Sequence, residues 1–305
     1  MKIRLLVSLA LVVVALHAAA AETVLTSDSV VYTIDGSVEA TRLLLSRRVG
    51  DTAIAVPVPS TEDDAIEAEP RLLWDDVGSN LYVAWIRRGG DDVLLARLDA
   101  QGQWSAPITI ARGAHCAGLQ IVLSRAETAT FVHAAWWSLA GRDAVAQYAL
   151  VAYEGGEYAS TAADTLDALA PSDLAKAASD VEDTGAALHP PLALARSATG
   201  VDVVYGSTGS TALRRLSIEP RRIVGNARAW RPVGRTGENT GRTGLVSSNS
   251  APVQVLVRGS RIVLYTPGAQ FRYMVYDAGQ WSRLYTLRLD DSVKSEQLVD
   301  QLRTH

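Results

Sequence analysis

"RLDAQGQWSAPITI" runs from Arg97 to Ile110, and a similar stretch, "VYDAGQWSRLYTL", runs from Val275 to Leu287. Both contain an apolar residue, an aspartate, a short glycine turn, Gln-Trp-Ser and then alternating residues. Glycine supplies the positive φ of a tight turn, and the alternation is typical of a β-strand. The two stretches therefore predict the same β-hairpin at two places in the chain, which indicates a repeat architecture.

The hairpin closes a longer unit of about four short strands, which are separated by Gly, Asp, Asn or Ser turns. Four copies, one of them divergent (His189–Gly234), and one degenerate N-terminal copy are visible; in chain order they cover Val30–Val58, Ala68–Ile110, Gly118–Ser160, His189–Gly234 and Ala251–Leu287. Four-stranded repeats of about 40 to 50 residues are the signature of propeller blades. We therefore predict an all-β fold, a β-propeller of about five to six four-stranded blades. A β-sandwich is the alternative, but it would not repeat its turn chemistry.

Three segments lie outside the repeats. Residues 1–21 have a charged start, an apolar run and small residues before Glu22, which predicts a signal peptide cleaved near Ala21 and an exported protein, periplasmic or secreted. Residues 160–188 form an insertion between blades, where Ser172 or Asp173 would cap a short helix. Residues 291–305 predict a C-terminal helix, so the propeller domain spans 22–290.

Charge and cysteine content exclude some classes of protein. Removal of the signal peptide takes the Lys+Arg count from 29 to 27 against 33 Asp+Glu, a net charge of about −6 that argues against a nucleic-acid partner. Cys116 is the one cysteine, so no intramolecular disulfide can form. Adjacent arginines recur near predicted turns or strand ends, where we expect solvated charges; they are Arg47–Arg48, Arg87–Arg88, Arg214–Arg215 and Arg221–Arg222.

The copies at Ala68–Ile110 and Ala251–Leu287 resemble the blades of sialidase-like propellers with bacterial-neuraminidase (BNR) repeats. That family carries an Asp-box, S-x-D-x-G-x-x-W, in the hairpin that closes the blade. Here the box is degenerate, because its spacing differs and its serine is missing. The residues that fill its roles are Asp99, Gly102, Trp104, Asp277, Gly279 and Trp281, and a third, weaker match consists of Glu154, Gly156 and Tyr158. The resemblance implies a structural role for these residues: an acidic side chain that binds turn amides, a glycine with positive φ, and an aromatic ring between blades.

The resemblance also implies what a catalytic member would need: three arginines that clamp a carboxylate, a Tyr–Glu nucleophile pair and an aspartate acid. The family's usual first arginine motif, an R-I-P-type strand, does not occur in this sequence. Four arginines at predicted strand ends are candidates to line a central funnel, with two histidines at blade entrances beside them; these candidate ligand-binding residues are Arg125, Arg196, Arg258, Arg272, His115 and His189. We assign no catalytic residue.

The sequence favours a binding protein over an enzyme. We expect an exported, non-catalytic, monomeric propeller that binds a glycan or a cell-envelope protein and has no membrane span. The alternative is a sialidase-like glycoside hydrolase acting on acidic or other glycans. His and Cys are too scattered for a metal site, and we expect no cofactor. His133 lies inside a predicted strand, where a hydrogen-bonded core histidine is expected.

Overall fold

The computed structural model describes residues 22–35, 43–59, 66–88, 92–113, 116–140, 143–170, 191–206, 213–236, 253–258, 260–266, 270–277 and 280–288. Throughout these ranges the chain forms antiparallel β-sheet, with one four-residue helix. The predicted signal peptide, the predicted helix after Pro171 and the predicted C-terminal helix lie outside the described residues.

The strands form five consecutive antiparallel sheets. Sheet 1 contains β1 (Glu22–Leu25), β2 (Val30–Ile34), β3 (Leu44–Val49) and β4 (Thr52–Pro57). Sheet 2 contains β5 (Ile66–Asp75), β6 (Asn80–Arg88), β7 (Asp92–Leu98) and β8 (Ile108–Ala111). Sheet 3 contains β9 (Cys116–Ala126), β10 (Ala129–Ala140), β11 (Asp143–Glu154) and β12 (Glu157–Ser160), and the short β13 (Asp164–Thr165) also pairs with β11.

The last two sheets follow the insertion. Sheet 4 contains β14 (Leu192–Arg196), β15 (Val201–Tyr205), β16 (Arg214–Ile223) and β17 (Asn226–Thr236). Sheet 5 contains β18 (Gln254–Arg258), β19 (Arg261–Thr266), β20 (Gln270–Asp277) and β21 (Gln280–Trp281), and β22 (Tyr285–Arg288) pairs with β20. The five predicted copies therefore correspond to five sheets. The degenerate first copy is a full sheet, because β1 precedes the Val30 at which the prediction began.

The sheets are arranged as the blades of a β-propeller. The first strands of successive sheets lie side by side: β1 contacts β5, β5 contacts β9, β9 contacts β14, and β14 contacts β18. Each sheet therefore has its first strand innermost and its fourth strand outermost. Turns between first and second strands and between third and fourth strands lie at one end of every sheet, which we call the lower end.

Apolar side chains between neighbouring sheets form the core. One cluster joins sheets 1 and 2 through Leu45, Leu81 and Trp85, which are fully buried, and similar clusters join sheets 2 and 3, 3 and 4, and 4 and 5. Strands such as "VLLARL" in β7 are buried on both faces, which explains why their apolar runs are nearly continuous. Trp104 and Trp281 pack against the first and last of these clusters, as the hairpin pattern predicted.

The observed helix α1 (Leu166–Leu169) begins before the predicted one. Its N-cap is Thr165, whose Oγ1 accepts a hydrogen bond from the Ala168 amide (3.2 Å). The helix rests on sheet 4 at Gly234, where a Cβ would lie 2.2 Å from the Leu169 carbonyl oxygen. A side chain at position 234 would therefore displace the helix.

The serine of the Gln-Trp-Ser hairpin fixes the fourth strand to the third. The Arg97 amide donates to Ser105 Oγ (3.0 Å), and the Ser105 amide donates to the Arg97 carbonyl (2.8 Å). Val275 and Ser282 repeat both bonds (2.9 and 2.8 Å), and Leu150 and Thr161 make them in sheet 3 (3.0 and 2.8 Å). The repeated hydroxyl therefore has a structural role that the Asp-box comparison did not identify.

Ser105→Ala and Ser282→Ala are each expected to lower the free energy of unfolding by about 1 kcal/mol, because a part-buried amide loses its acceptor. Urea unfolding measures the loss. Ser46→Ala, at an exposed position of β3, is the matched control and should leave the midpoint unchanged. Equal midpoints for all three variants would show that the hydroxyl bonds contribute nothing.

His133 is a hydrogen-bonded core residue, as predicted. Its ring is fully buried in sheet 3, with Nε2 2.6 Å from Ser124 Oγ and Nδ1 2.6 Å from the Tyr148 hydroxyl. Burial lowers the pKa of His133 to about 3, so the ring is neutral. Both ring nitrogens therefore have hydroxyl partners and no charged partner.

Candidate functional site

The predicted funnel arginines occupy different ends of the sheets. Arg125 lies at the lower end of β9 and binds Asp75 of sheet 2, whose carboxylate also accepts from the Gly78 amide (3.2 Å). Arg196, at the lower end of β14, is exposed and has no hydrogen bond or ion pair within the described ranges. Arg272 lies near the opposite end, beside Thr266. The structure therefore does not bring Arg272 together with Arg125 and Arg196.

The structure does not describe the side chains of the other predicted ligand-binding residues. His115 and His189 lie outside the described residues, and so does the side chain of Arg258. Their roles stay predictions.

Charged side chains on the innermost strands form an axial cluster that the sequence reasoning missed. Arg71 of β5 donates through Nε to the Leu119 carbonyl (2.8 Å) and lies 3.4 Å from Glu22 of β1. Glu69, at a bulge with φ 50°, accepts from the Gly118 amide (2.7 Å) and from Arg88 (3.1 Å). Because these groups bind carbonyls, amides and each other, the cluster holds sheets 1, 2 and 3 together.

The first Asp-box-like turn behaves as the resemblance implies. Asp99 Oδ1 accepts from the amides of Gln101 (3.0 Å) and Gln103 (2.8 Å), and Gly102 has φ 77°. In the last copy, the Asp277 carboxylate instead accepts from Arg261 Nε (2.7 Å), and Gly279 lies outside the described residues. The aspartate therefore binds turn amides in one copy and an arginine in the other.

The role predicted for Glu154 is wrong. Gly156 has the expected positive φ (87°), but the Glu154 carboxylate binds Arg222 and the Trp230 indole of sheet 4 rather than turn amides. Hydrogen bonds from Arg222 and Thr128 lower the pKa of Glu154 to about 2. Tyr158 packs towards sheet 2, in the cluster between sheets 2 and 3. The residues of this third, weaker match therefore connect neighbouring blades.

A cleft of about 440 Å³ lies between sheets 1 and 2 at their lower ends, and we call it the first cleft. Tyr32 of β2 and Trp74 of β5 form its aromatic side, with ring centroids 6.3 Å apart and an interplanar angle of 24°. Arg47 lies directly opposite Tyr32 in the register of β2 and β3. The turn at Asp99 and the turn at Asp28 contribute a carboxylate from each sheet. The hairpin that reveals the fold therefore also lines the first cleft.

The first cleft contains hydrogen-bonding groups without protein partners. Arg47 is half-buried and makes no hydrogen bond or ion pair within the described part of the chain. Asp28, which is exposed on the turn of sheet 1, is likewise unpaired there. Among the described residues, most half-buried guanidinium groups are paired, as Arg87 is with Asp92 and Arg215 with Asp202. Unmatched donors and acceptors in one cavity are what a polar ligand satisfies.

The arginine pairs were wrongly predicted to be only solvated turn charges. Successive residues of a strand face opposite sides of the sheet, so one member of a pair is directed into a blade junction. Arg47 faces the first cleft while Arg48 is exposed, and Arg222 lies over the Trp230 ring (4.3 Å) while Arg221 is exposed. The sequence did indicate this arrangement, because the arginine pairs lie within alternating strand patterns and not in the turns between strands.

Two further properties concern metals and membranes. In the described ranges, no group of three or more His, Cys, Asp or Glu side chains is placed to hold a metal ion. No helix there is long and apolar enough to cross a membrane.

Comparisons with known proteins place this chain near two solved structures. No family model and no curated protein matches the chain. A triple arginine-to-alanine mutant of AofleA from Arthrobotrys oligospora is 10% identical with a TM-score of 0.45, over 89% of this chain and 73% of that one. The NanB sialidase from Streptococcus pneumoniae, in complex with a chlorobenzyl-ammonio-ethanesulfonate, is 11% identical with a TM-score of 0.37, over 75% of this chain and 52% of that one. The chain thus spans about half of the NanB chain. At these sequence identities and TM-scores, neither similarity supports an argument about function.

Proposed function

We propose that this chain is an exported, non-catalytic glycan-binding propeller and that the first cleft holds the sugar. The observation that carries the proposal is Arg47, a half-buried guanidinium without a protein partner beside the Tyr32–Trp74 pair. A sugar presents C–H faces that pack on aromatic rings, and hydroxyls that accept from a guanidinium and donate to carboxylates. The first cleft offers these groups together.

The positions of the carboxylates favour binding over hydrolysis in the first cleft. Asp99 Oδ1 already accepts two turn amides, so this carboxylate is held in place by its own hairpin. Hydrolysis of a glycosidic bond needs one carboxyl group that stays protonated as the general acid. Asp28 is exposed to solvent and Asp99 is bound to its own turn amides, so neither carboxyl group lies in an apolar enclosure such as a general acid needs.

Backbone conformation supports the same location. Ser79, which lines the first cleft, has φ 50°, and Ser29, next to Asp28, has φ 61°. Non-glycine residues with positive φ cost free energy and concentrate at ligand sites. Both lie in the turns that form the rim of the cleft.

A glycan array probed with the purified protein tests the proposal, followed by a hydrolysis assay on each sugar that binds. We expect binding of a defined group of glycans without release of product. Turnover of a bound sugar would support the glycoside hydrolase instead, and an array without any bound glycan would reject the proposal.

A further inference from the structure

A second cavity system lies between sheets 3 and 4, far along the chain from the first cleft. Two adjoining cavities of about 450 and 340 Å³ share Ala152, Ala159 and Trp230. We call them together the outer groove. We infer that the outer groove binds an extended peptide segment of another protein, one in which a basic residue adjoins an apolar residue. This inference goes beyond the proposed glycan binding.

The outer groove follows the outer edges of two outermost strands. It is lined by the consecutive residues 159–161 on sheet 3 and 229–232 on sheet 4. Because successive residues of a strand face opposite sides, a cavity that touches all of them must reach the edge of the strand. Within the described residues, β12 pairs with β11 and β17 pairs with β16, with no further partner. An extended peptide can pair with such an edge through its main chain.

One end of the outer groove is apolar. Leu150, Ala152, Pro232 and Ile223 contribute to its wall, and Ile223 is 40% exposed. An apolar side chain placed there would remove this surface from water, which stabilises a complex in proportion to the area buried.

The other end of the outer groove carries excess negative charge. At this end Glu154 and Glu157 line the cavity and Glu127 adjoins it through Arg222, so among the described residues three carboxylates lie near one guanidinium group. The Arg222 guanidinium group forms ion pairs with both Glu127 (2.8 Å) and Glu154 (2.7 Å). A lysine or arginine side chain of a peptide would reduce this imbalance of two charges.

The aromatic ring in the outer groove is not free to hold a sugar. Arg222 lies over the Trp230 ring at 4.3 Å, and Phe131 meets it edge-on at 4.7 Å. Trp230 is 6% exposed, whereas a sugar needs an open ring face, which in the first cleft comes from the half-buried Trp74 and not from Tyr32 (8% exposed). The outer groove therefore differs in chemistry from the first cleft and favours a peptide.

A positional-scanning library of labelled hexapeptides tests the inference by fluorescence polarisation. We expect enrichment of Lys or Arg next to an apolar residue, and at least a tenfold loss of affinity when the lysine of a selected peptide is acetylated. A selected peptide with prolines at alternate positions should also bind weakly, because proline lacks the amide that pairs with a strand edge.

Two tryptophan substitutions locate the site. Ala159→Trp would fill the cavity that both parts of the outer groove share, and we expect it to abolish peptide binding. Ala55→Trp, on the outermost strand of sheet 1, is the matched control and should bind normally, as should Arg47→Ala. No enrichment in the library, or full binding by Ala159→Trp or by the acetylated peptide, would overturn the inference. Loss of peptide binding in Arg47→Ala would place the peptide in the first cleft and would overturn it too.

Discussion

Trp85→Ala is expected to lower the free energy of unfolding by about 3–5 kcal/mol, which is the usual cost of truncating a buried tryptophan. Trp85 of β6 is fully buried in the cluster between sheets 1 and 2. Its removal leaves a cavity at the junction of two sheets, and the close-packed side chains around it can fill that cavity only in part. Urea unfolding followed by circular dichroism measures the loss.

Trp104→Ala is the matched comparison, because Trp104 packs against the same cluster but is only half-buried. Solvent already contacts part of its ring, so its truncation removes less apolar surface from the core. We expect the Trp104 variant to lose clearly less stability than the Trp85 variant. An equal or larger loss for Trp104 would mean that the repeated hairpin, rather than the buried strands, dominates the junction.

Stability is expected to fall by several kcal/mol as the pH drops from about 6.5 towards 3. The pKa of His133 is about 3 in the folded protein because its ring is buried, against about 6.5 when unfolded. Between these values the unfolded chain binds a proton that the folded chain excludes, so stability falls by up to about 1.4 kcal/mol per pH unit. The contribution is complete above pH 6.5.

Glu154 changes stability in the same direction at lower pH. Its carboxylate has a folded pKa of about 2, because Arg222 and Thr128 hydrogen-bond to it, against an unfolded value near 4.5. Protonation therefore removes stability as the pH falls from 4.5 to 2. The interval between pH 6.5 and 4.5 isolates the histidine from this carboxylate.

His133→Gln separates the two effects. The variant is expected to be less stable at pH 7, because glutamine cannot match both hydroxyl partners, and its stability should change little between pH 6.5 and 4.5. Unfolding free energies at half-unit pH steps provide the measurement. The same slope in both proteins would show that His133 does not control acid stability.

The repeat in the sequence predicted most of the fold because propeller blades are local. Each sheet is made from consecutive strands, so the turn signals and alternation around "QGQWS" carry the information that the sheet needs. The first sheet was predicted from Val30 onward because β1 is only four residues long, Glu22–Leu25, and contains no turn motif. Short strands give too few residues for alternation to be recognised.

The candidate sites were harder to predict because they lie between blades. Arg47 and Trp74 line the same cleft, yet nothing in either strand shows which residue of the next sheet will lie across from it. Because Glu154 precedes two glycines, the local pattern predicts a turn residue, whereas its partners Arg222 and Trp230 come from the next sheet. Side-chain pairing across a junction depends on how neighbouring sheets pack, and the residue pattern within one strand does not determine this packing.

Titration calorimetry of one array-selected glycan with the wild type, Arg47→Ala and Arg48→Ala tests the central claim most directly. The two arginines are adjacent on β3 and face opposite sides of sheet 1, so the variants match in charge and location. A hydrogen bond from a charged group contributes about 1.5–3 kcal/mol, so we predict that Arg47→Ala binds roughly 10- to 100-fold more weakly. Arg48→Ala should bind as the wild type does. Equal affinities for Arg47→Ala and the wild type would contradict the assignment of the glycan site to the first cleft.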